Sequence, residues 1–571
     1  RGVTKVFGLC GHTVIAMLEA LSGSERIEFV NVRHEQIASH AADGYARVTH
    51  RASVVLTHLG PGLTNAATGV ANAALDSIPV VVIAGDVPTH YFGKHPHQEV
   101  NHHADADQWQ IYRPFVKRAF RVERAELLPE ILDRAFVIAE SGRPGPVLVD
   151  VPMDLFSLPI EAALVDRALA NHIDYAPPAL DVATAERIVT SLAAAEHPLV
   201  YAGGGVLSAC ASEELTTLVD LLDLPVAHSL MGKGAVSDDN PHVLGMSGFW
   251  GMPFTNQMCR GADWILGLGT RFAEADSSSW YEDFTFRMPP TKLIQIDIDP
   301  EQIGRNYPVE IGAVADLKSA LTTLLEAARR LYPRGVVREG VTGTILAERA
   351  ARKEALVANQ TSGEFPMNPA RILKDLHDHI PADSFVVTDV GWNKNGLAQQ
   401  YDISVPGTFI TPSGFATMGF GSPAALGVQL AAPGRRVIAL VGDGGFGQNP
   451  AVLATARRER IPVVWVVMNN NAYGTIAGLE KANYGTTFGT VFESEDDDMW
   501  LDYSAIAAAY GIRARKVTSP EDFGVALDEA LASGEPYLID VPMRNIPTPT
   551  GGHWNILDIY SPDGVKGHVS T

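Results

Sequence analysis

Residues 435–470 read RRVIALVGDGGFGQNPAVLATARRERIPVVWVVMNN, and this stretch decides the fold. The apolar run VIALV closes on Gly442-Asp443-Gly444, and IPVVWVVM closes on Asn469-Asn470. Between them GFGQNP reads as a loop and AVLATARRER as an amphipathic helix, so the segment predicts strand, helix, strand. A right-handed crossover makes two such strands parallel, which brings Asp443 and Asn470 out side by side at one sheet edge. One anionic and one neutral oxygen ligand, beside a glycine loop that opens a helix, suit Mg2+ gripping a diphosphate. Mg2+ takes few protein oxygens and completes its octahedron with water and phosphate, while helix N-terminal N–H groups hold the anion. A GDG triplet alone also serves as a plain strand-to-helix turn. The pairing with Asn-Asn, with strand periodicity on both sides, carries the signal.

Outward from this segment the chain divides into three α/β blocks. The first, residues 1–160, carries strand candidates KVFGLC, SVVLTH, PVVVIAGD and GPVLVDVP. The second, 180–335, carries HPLVYAGGG, LPVAHSL, WILGLGT and TKLIQIDID, and the third, 360–545, carries SFVVTDVG, RRVIALVGD, IPVVWVVMNN and PYLIDVPM. Short β-branched runs alternating with helices predict three doubly wound parallel sheets, with blocks one and three similarly built. A proline-closed linker and a helical connector (GTILAERAARKEALVANQ) join the blocks, and 546–571 form a Pro/Gly-rich tail, a lid or a surface strap.

The GDG-to-Asn-Asn pattern resembles the thiamine diphosphate signature of the superfamily holding acetohydroxyacid synthase, benzoylformate decarboxylase and 2-hydroxyacyl-CoA lyase. The resemblance extends over nearly the whole chain. It implies Asp443 and Asn470 as side-chain metal ligands, with Ala472 adding its backbone carbonyl and Gly442, Gly444 and Gly445 cradling the diphosphate. VRHEQ followed by ADGYAR and LGPGLTNAATGVANAALDSIPVVVIAGD resembles the pyrimidine-binding signature. By that resemblance Glu35 bonds the aminopyrimidine ring and shares its proton, a task that needs a carboxyl shielded from water. Read without it, Glu35 is a first-turn glutamate favoured by the helix dipole. SGFATMGFGSPAALG resembles the segment that props the bent cofactor, which puts Met418 under the bend and makes the Ala416 carbonyl an acceptor. Asn393, in GWNKN, falls where relatives contact the diphosphate.

Substrate-side residues follow from the same likeness. His58, in VVLTHLGPG, matches a benzoylformate decarboxylase histidine and would move protons at the intermediate, unless it simply caps its loop. Gln98 and Glu99 match the synthase FQE triplet, with His97 in place of phenylalanine, so Gln98 is expected to face substrate. The surrounding histidines, His90 to His103, are spaced too irregularly for a zinc site and read as a solvated rim. Leu479 replaces the tryptophan that selects substrate in the synthase, and Glu480 follows it. This step resembles 2-hydroxyacyl-CoA lyases, and the expectation is therefore a lyase releasing formyl-CoA, with Glu480 as acid/base. The alternatives are an acetolactate-synthase-like enzyme that decarboxylates pyruvate and ligates the acetyl unit, or a non-catalytic regulatory subunit. The last is disfavoured because Glu35, Asp443 and Asn470 are all present. In the middle block GLGTRF and QIDIDPEQIGRN resemble a domain that binds FAD in some members, ADP in others and nothing in the rest. Arg271, Asp297, Asp299 and Asp316 sit at strand ends, where a nucleotide would lie or where acids merely cap helices.

A net charge of −22 argues against nucleic acid or anionic membranes as partners, so an anionic cofactor must be held locally by metal and backbone dipoles. Cys10, Cys210 and Cys259 are too scattered for a disulfide framework or zinc site and fit a reducing cytoplasm. No apolar run reaches the roughly 18 residues of a membrane span. Relatives carry a short helix ahead of the first strand, so a segment before Arg1 is expected. The resemblance also implies that two copies share each site, giving at least a homodimer and usually a tetramer, acting on a small 2-oxo acid or 2-hydroxyacyl-CoA.

Overall fold

The computed structural model describes residues 1–101, 107–170, 176–492, 500–547 and 549–555. These form three six-stranded sheets in which every strand pair is parallel. In the first, the spatial order is Glu28–Asn31, Lys5–Gly8, Ser53–Thr57, Val80–Asp86, Val147–Pro152, Arg118–Arg121. In the third it is Phe409–Ile410, Phe385–Thr388, Val437–Gly442, Val464–Asn469, Tyr537–Pro542, Arg513–Lys516. Numbered along the chain, both sheets have the order 2-1-3-4-6-5. The middle sheet differs. Its strands stand as Ile311–Val314, Lys292–Asp297, Trp264–Leu268, Pro198–Ala202, Val226–His228, Val243–Met246, which is the order 3-2-1-4-5-6 read from the other side. That order places a crevice between its first and fourth strands, the usual seat of a nucleotide.

The inner strands are long apolar runs because helices cover both faces, leaving no solvent side to select alternation. Val80–Asp86 and Val147–Pro152 are buried at every position. Five strands were not anticipated: Arg118–Arg121, Val243–Met246, Ile311–Val314, Phe409–Ile410 and Arg513–Lys516. All five are sheet edges. RAFR and RARK occupy the same edge in the two matched sheets, where charge discourages further pairing.

The first and third blocks share one apolar core, in which Phe7, Ile37 and Val55 join Phe420, Leu426 and Trp465. The joint is the pairing of helix Glu35–Thr49 with helix Gly421–Ala431. It needs bare backbone on both sides: a Cβ on Gly44 would stand 2.2 Å from the Ala424 carbonyl oxygen, and one on Gly427 1.8 Å from that of Ala41. Beside it, buried Arg47 pairs with Asp43 and Asp76 (2.5 and 2.7 Å), and donates to the Thr411 carbonyl. Asp76 in turn accepts the N–H groups of Ser413 and Gly414. This network pins the strand leading to Ala416 and Met418 against the first block.

Residues 549–555 leave the third block and lie on the middle one. Gln399 donates to the Pro549 carbonyl, Gly552 N to Phe249 O, and His553 stacks on Phe284 at 4.2 Å. The tail beyond 555, expected as lid or strap, lies outside the described residues. Among the described residues no helix is long and apolar enough to cross a membrane.

Candidate active site

Strands Val437–Gly442 and Val464–Asn469 are neighbours, with Gly442 paired to Met468, so their carboxyl ends open together. There the Asn470 carboxamide oxygen faces Asp443 Oδ1 and the Ala472 carbonyl oxygen, 3.0 Å from each. The amide can present either its oxygen or its NH2 group to those two acceptors. Hydrogen bonding alone would turn the amide over; a cation among the oxygens would keep it as it stands. Adjacent ligands around Mg2+ lie about 2.9 Å apart when each sits at 2.0–2.1 Å, so the residues fit a small hard ion. Burial pushes the Asp443 carboxyl up to about 7, against the pull of the Gly444 and Ala472 N–H groups, a cost that a cation would reverse.

The glycines of this turn are demanded by what touches them. A Cβ on Gly444 would fall 2.7 Å from the Tyr473 ring and 3.1 Å from Met418 Cε, which brings Met418 onto the turn. One on Gly445 would fall 2.6 Å from the Asp389 carboxyl carbon. Asp389, overlooked in the sequence, accepts N–H groups from Val390, Gly419 and Gly421 and so locks the Met418 segment beside the cradle. Its signal was present: TDVG ends a strand in the same way as VGDG does. Ala416 holds φ +49, a left-handed conformation costly for a residue with a Cβ, which fixes the direction of its carbonyl. Asn393 donates to Val390 O from Nδ2, which lies beside Gly442, while its buried Oδ1 has no partner among the described residues.

A second group stands on the first sheet. Glu35 opens helix Glu35–Thr49 behind its N-cap His34 and is only 5% exposed. Its Oε2 accepts from Asn65 Nδ2 at 3.0 Å, and Gly62 closes over Oε1. His58 and Gln98 are brought together, Nε2 to Oε1 at 2.9 Å. Leu59 N–H donates to Thr13 Oγ1, so the Thr13 hydroxyl proton is free to donate to His58 Nδ1 at 2.8 Å, leaving Nε2–H to donate to Gln98. His12, which the sequence did not mark, sits edge-on to His58, 4.6 Å between centroids, and stacks on His97. Their mutual repulsion adds to desolvation in lowering the His12 pKa. His102 and His103 lie outside the described residues, and no cluster of three His, Cys, Asp or Glu able to hold a metal occurs among those described.

Glu480 does not stand free. Its carboxylate accepts the Phe488 N–H at 2.9 Å and the Thr490 hydroxyl at 2.8 Å, tying helix Gly474–Tyr484 to the loop after it. In the middle block a cavity of about 650 Å3 opens at the crevice of the 3-2-1-4-5-6 sheet. Arg271, Asp297 and Asp316 all line it, but their duties differ. Asp316 caps helix Leu317–Leu331, and Asp299 caps the turn at Glu301 and pairs with Arg143, so both acids have helix-capping work. Asp297 accepts one backbone N–H and is otherwise buried with its pKa raised by desolvation. Gly203 lines the same cavity with its Cα pressed on Gly269 O, 2.1 Å from where a Cβ would be. The YAGGG stretch thus serves close backbone approach without GxGxxG spacing. Lys394, also unforeseen, projects into the cavity from the third block, 6% exposed, with one long hydrogen bond of 3.5 Å to Pro412 O. Burial lowers its pKa to about 8.

The oxygen cluster at Asp443 on one sheet and buried Glu35 on its topological twin stand on two matched domains, and comparison with known families names the class. Residues 1–106, 185–324 and 389–541 match, in turn, the N-terminal TPP binding, central and C-terminal TPP binding domains of thiamine pyrophosphate enzymes. The chain belongs to this family. It is 34% identical to a probable acetolactate synthase large subunit of Methanocaldococcus jannaschii, over 100% of this chain and 94% of that protein. It is also 34% identical to the acetolactate synthase isozyme 3 large subunit of Escherichia coli (93% and 90% covered), and 33% to an acetolactate synthase of Mycobacterium bovis (94% and 85%).

These relatives overturn the expectation of a 2-hydroxyacyl-CoA lyase. That reading leaned on Leu479 and Glu480, whereas the likeness to acetolactate synthases runs the length of the chain. The geometry supplies a physical reason as well, because the carboxylate meant to shuttle a hydroxyl proton is already engaged in fastening a loop.

Proposed function

We propose that this protein is an Mg2+-dependent, acetolactate-synthase-like enzyme that decarboxylates pyruvate and joins the remaining two-carbon unit to a second 2-oxo acid. What supports the metal-assisted chemistry is the convergence of the Asp443 carboxylate, the Ala472 carbonyl and the Asn470 carboxamide, the last 3.0 Å from each of the other two, beside a glycine turn. Full-length similarity to acetolactate synthases supports the choice of reaction.

Bound at this site, thiamine diphosphate supplies the electron sink for the pair left when the C1–C2 bond of pyruvate breaks and CO2 departs. Asp443, Asn470 and Ala472 hold Mg2+, and the turn from Gly442 to Gly445 presents N–H groups to the diphosphate. Asn393, whose Nδ2 lies beside Gly442, has an N–H to offer the same end of the cofactor. Met418 and the Ala416 carbonyl orient the pyrimidine against the thiazolium. Glu35 holds and returns one proton at its carboxyl. His58 holds at Nε2 the proton due to the oxygen of the newly formed alcohol, and Gln98, which accepts from that nitrogen, orients the ring toward the acceptor. Among the described residues no hydrogen bond or ion pair joins the Glu35 group to the Asp443 group within the chain, which supports a site completed by a second copy.

The test is direct. Purified protein given thiamine diphosphate, Mg2+ and pyruvate should release CO2 and acetolactate. With Leu479 in place of a selecting tryptophan, 2-oxobutyrate should compete with pyruvate as acceptor by no more than about tenfold, the range that one small apolar contact supplies. Absence of acetolactate would overturn the reading.

For the middle block we favour FAD over ADP. The cavity is lined at the crevice by Asp297 and Asp316 and also by Lys394, Asn395 and Ala416 of the third block, which offers contacts to a second half of a dinucleotide. Equilibrium dialysis should show FAD bound at least tenfold tighter than ADP, and Arg271→Ala should weaken both by about 1.5–3 kcal/mol, the worth of a charged hydrogen bond. Equal binding of ADP and FAD would reverse the preference.

A further inference from the structure

Behind the Gly60 turn lie two buried carboxyl groups that the proposed chemistry does not use. Asp86 ends strand Val80–Asp86 at 4% exposure, and Asp150 lies in the adjacent strand Val147–Pro152 at 0%. Asp150 stands in register with Ala84, so its side chain leaves the sheet on the same face as that of Asp86, close enough for each carboxyl to act on the other's proton. The charges around them are unevenly shared. Arg121 reaches Asp86 Oδ2 at 3.5 Å and Asp107 at 2.6 Å, and Glu99 adds a further negative charge nearby. Among the described residues Asp150 makes no ion pair, and Arg121 acts on it only at longer range. Its Oδ1 accepts from Gln108 Nε2 at 2.6 Å, while its Oδ2 is buried without any donor. Two carboxylates cannot bond each other unless one carries a proton, and the member far from Arg121 is the one to carry it.

Gln108 connects this pair to the substrate side. Its Nε2 also donates to Gly85 O, and its Oε1 accepts the Gly60 N–H at 2.8 Å. Gly60, at φ +48, leans on Gln98, whose carbonyl oxygen lies 2.3 Å from where a Cβ would stand. The same turn begins at His58, already bonded to Gln98. We propose that Asp86 and Asp150 share one proton and that this carboxyl pair, through Gln108, positions the Gly60 turn and with it the His58–Gln98 pair. Both acids are thus positioning residues. The functional consequence rests on the reading of His58 and Gln98 as substrate-facing; the positional one does not.

A neutral Asp150 is matched in shape by asparagine, which accepts from Gln108 and donates to Asp86. Asp150→Asn should therefore keep kcat on pyruvate within about threefold, and its crystal structure should keep the His58–Gln98 bond. Asp150→Ala should shift the turn, break that bond and lower kcat by about 10–100-fold, the scale of a small misplacement, with thiamine diphosphate affinity unchanged. If Asp150→Ala does not fold, Gln108→Leu, which spares both carboxyls, carries the same expectation. The proton has its own readout. A carboxyl whose folded pKa is raised stabilises fully below the ordinary value of about 4 and loses that stability as pH rises toward the raised value. Melting temperature of the wild type should fall over that window and Asp150→Asn should flatten the fall. Equal damage from Asn and Ala, an undisturbed turn in Asp150→Ala, or identical pH dependence of melting would each overturn the proposal. If even the wild type ignores pyruvate, the reaction assignment fails alone, because the crystal structures and melting curves still decide the positioning.

Discussion

Glu35→Gln is expected to leave thiamine diphosphate and Mg2+ bound while turnover falls by about 10²–10⁴-fold, the usual worth of a placed acid–base group. Glutamine keeps the volume and the contact with Asn65, so the helix start and the closing of Gly62 over the site should survive. What it cannot do is hold and return a proton. Glu35 is only 5% exposed, and no water of bulk character can take over that duty at low cost. The measurement pairs calorimetric cofactor binding with the exchange of the cofactor's acidic C–H proton into deuterium oxide. Normal binding with slowed exchange is the expected pair of results. Undiminished exchange would remove Glu35 from the mechanism.

Asp443→Ala should abolish the metal's contribution to cofactor binding. Asp443 is the one charged group among three oxygens, and the other two, an amide and a peptide carbonyl, cannot balance a divalent ion. Affinity for thiamine diphosphate in Mg2+ should fall by more than the roughly 10–100-fold that loss of a mere supporting partner of a metal ligand costs. Asn470→Ala, which takes a neutral oxygen, should fall less. Titrations with Mg2+ and with a chelator separate the two effects. Metal-dependent binding of normal strength in Asp443→Ala would mean that the cradle holds something other than the ion.

The sheets were readable because their inner strands are long and apolar and their turns carry glycine. VIALVGDGG and IPVVWVVMNN state both the strand and the point at which it opens. Edge strands such as RAFR and RARK were not readable, since their partners cover one side only and their side chains obey solvent more than packing. The site followed the same division. Asp443 and Asn470 end the two strands of one crossover, so their meeting could be inferred from spacing, whereas Ala472 entered only through the family resemblance. Lys394 in the central cavity and Gln108 beneath the Gly60 turn are placed by contacts across 18 to 48 positions, and no local pattern marks them. Glu480 shows the reverse error: a side chain eye-catching in sequence is committed to a loop ten residues further on.

The bare-backbone contact of Gly44 with Ala424, and of Gly427 with Ala41, has a bearing on how such proteins can be recombined. Two helices that meet through peptide groups transmit position without slack, and a methyl group on either side would wedge them apart. Exchange of either terminal block for that of a relative would succeed only where the donor also brings its small residues to this seam. The middle block is joined by other means, with Leu230 and Met246 entering the core of the third block and Gly552 pressed on the Gly248 carbonyl, so a transplanted middle block would have to match those contacts too.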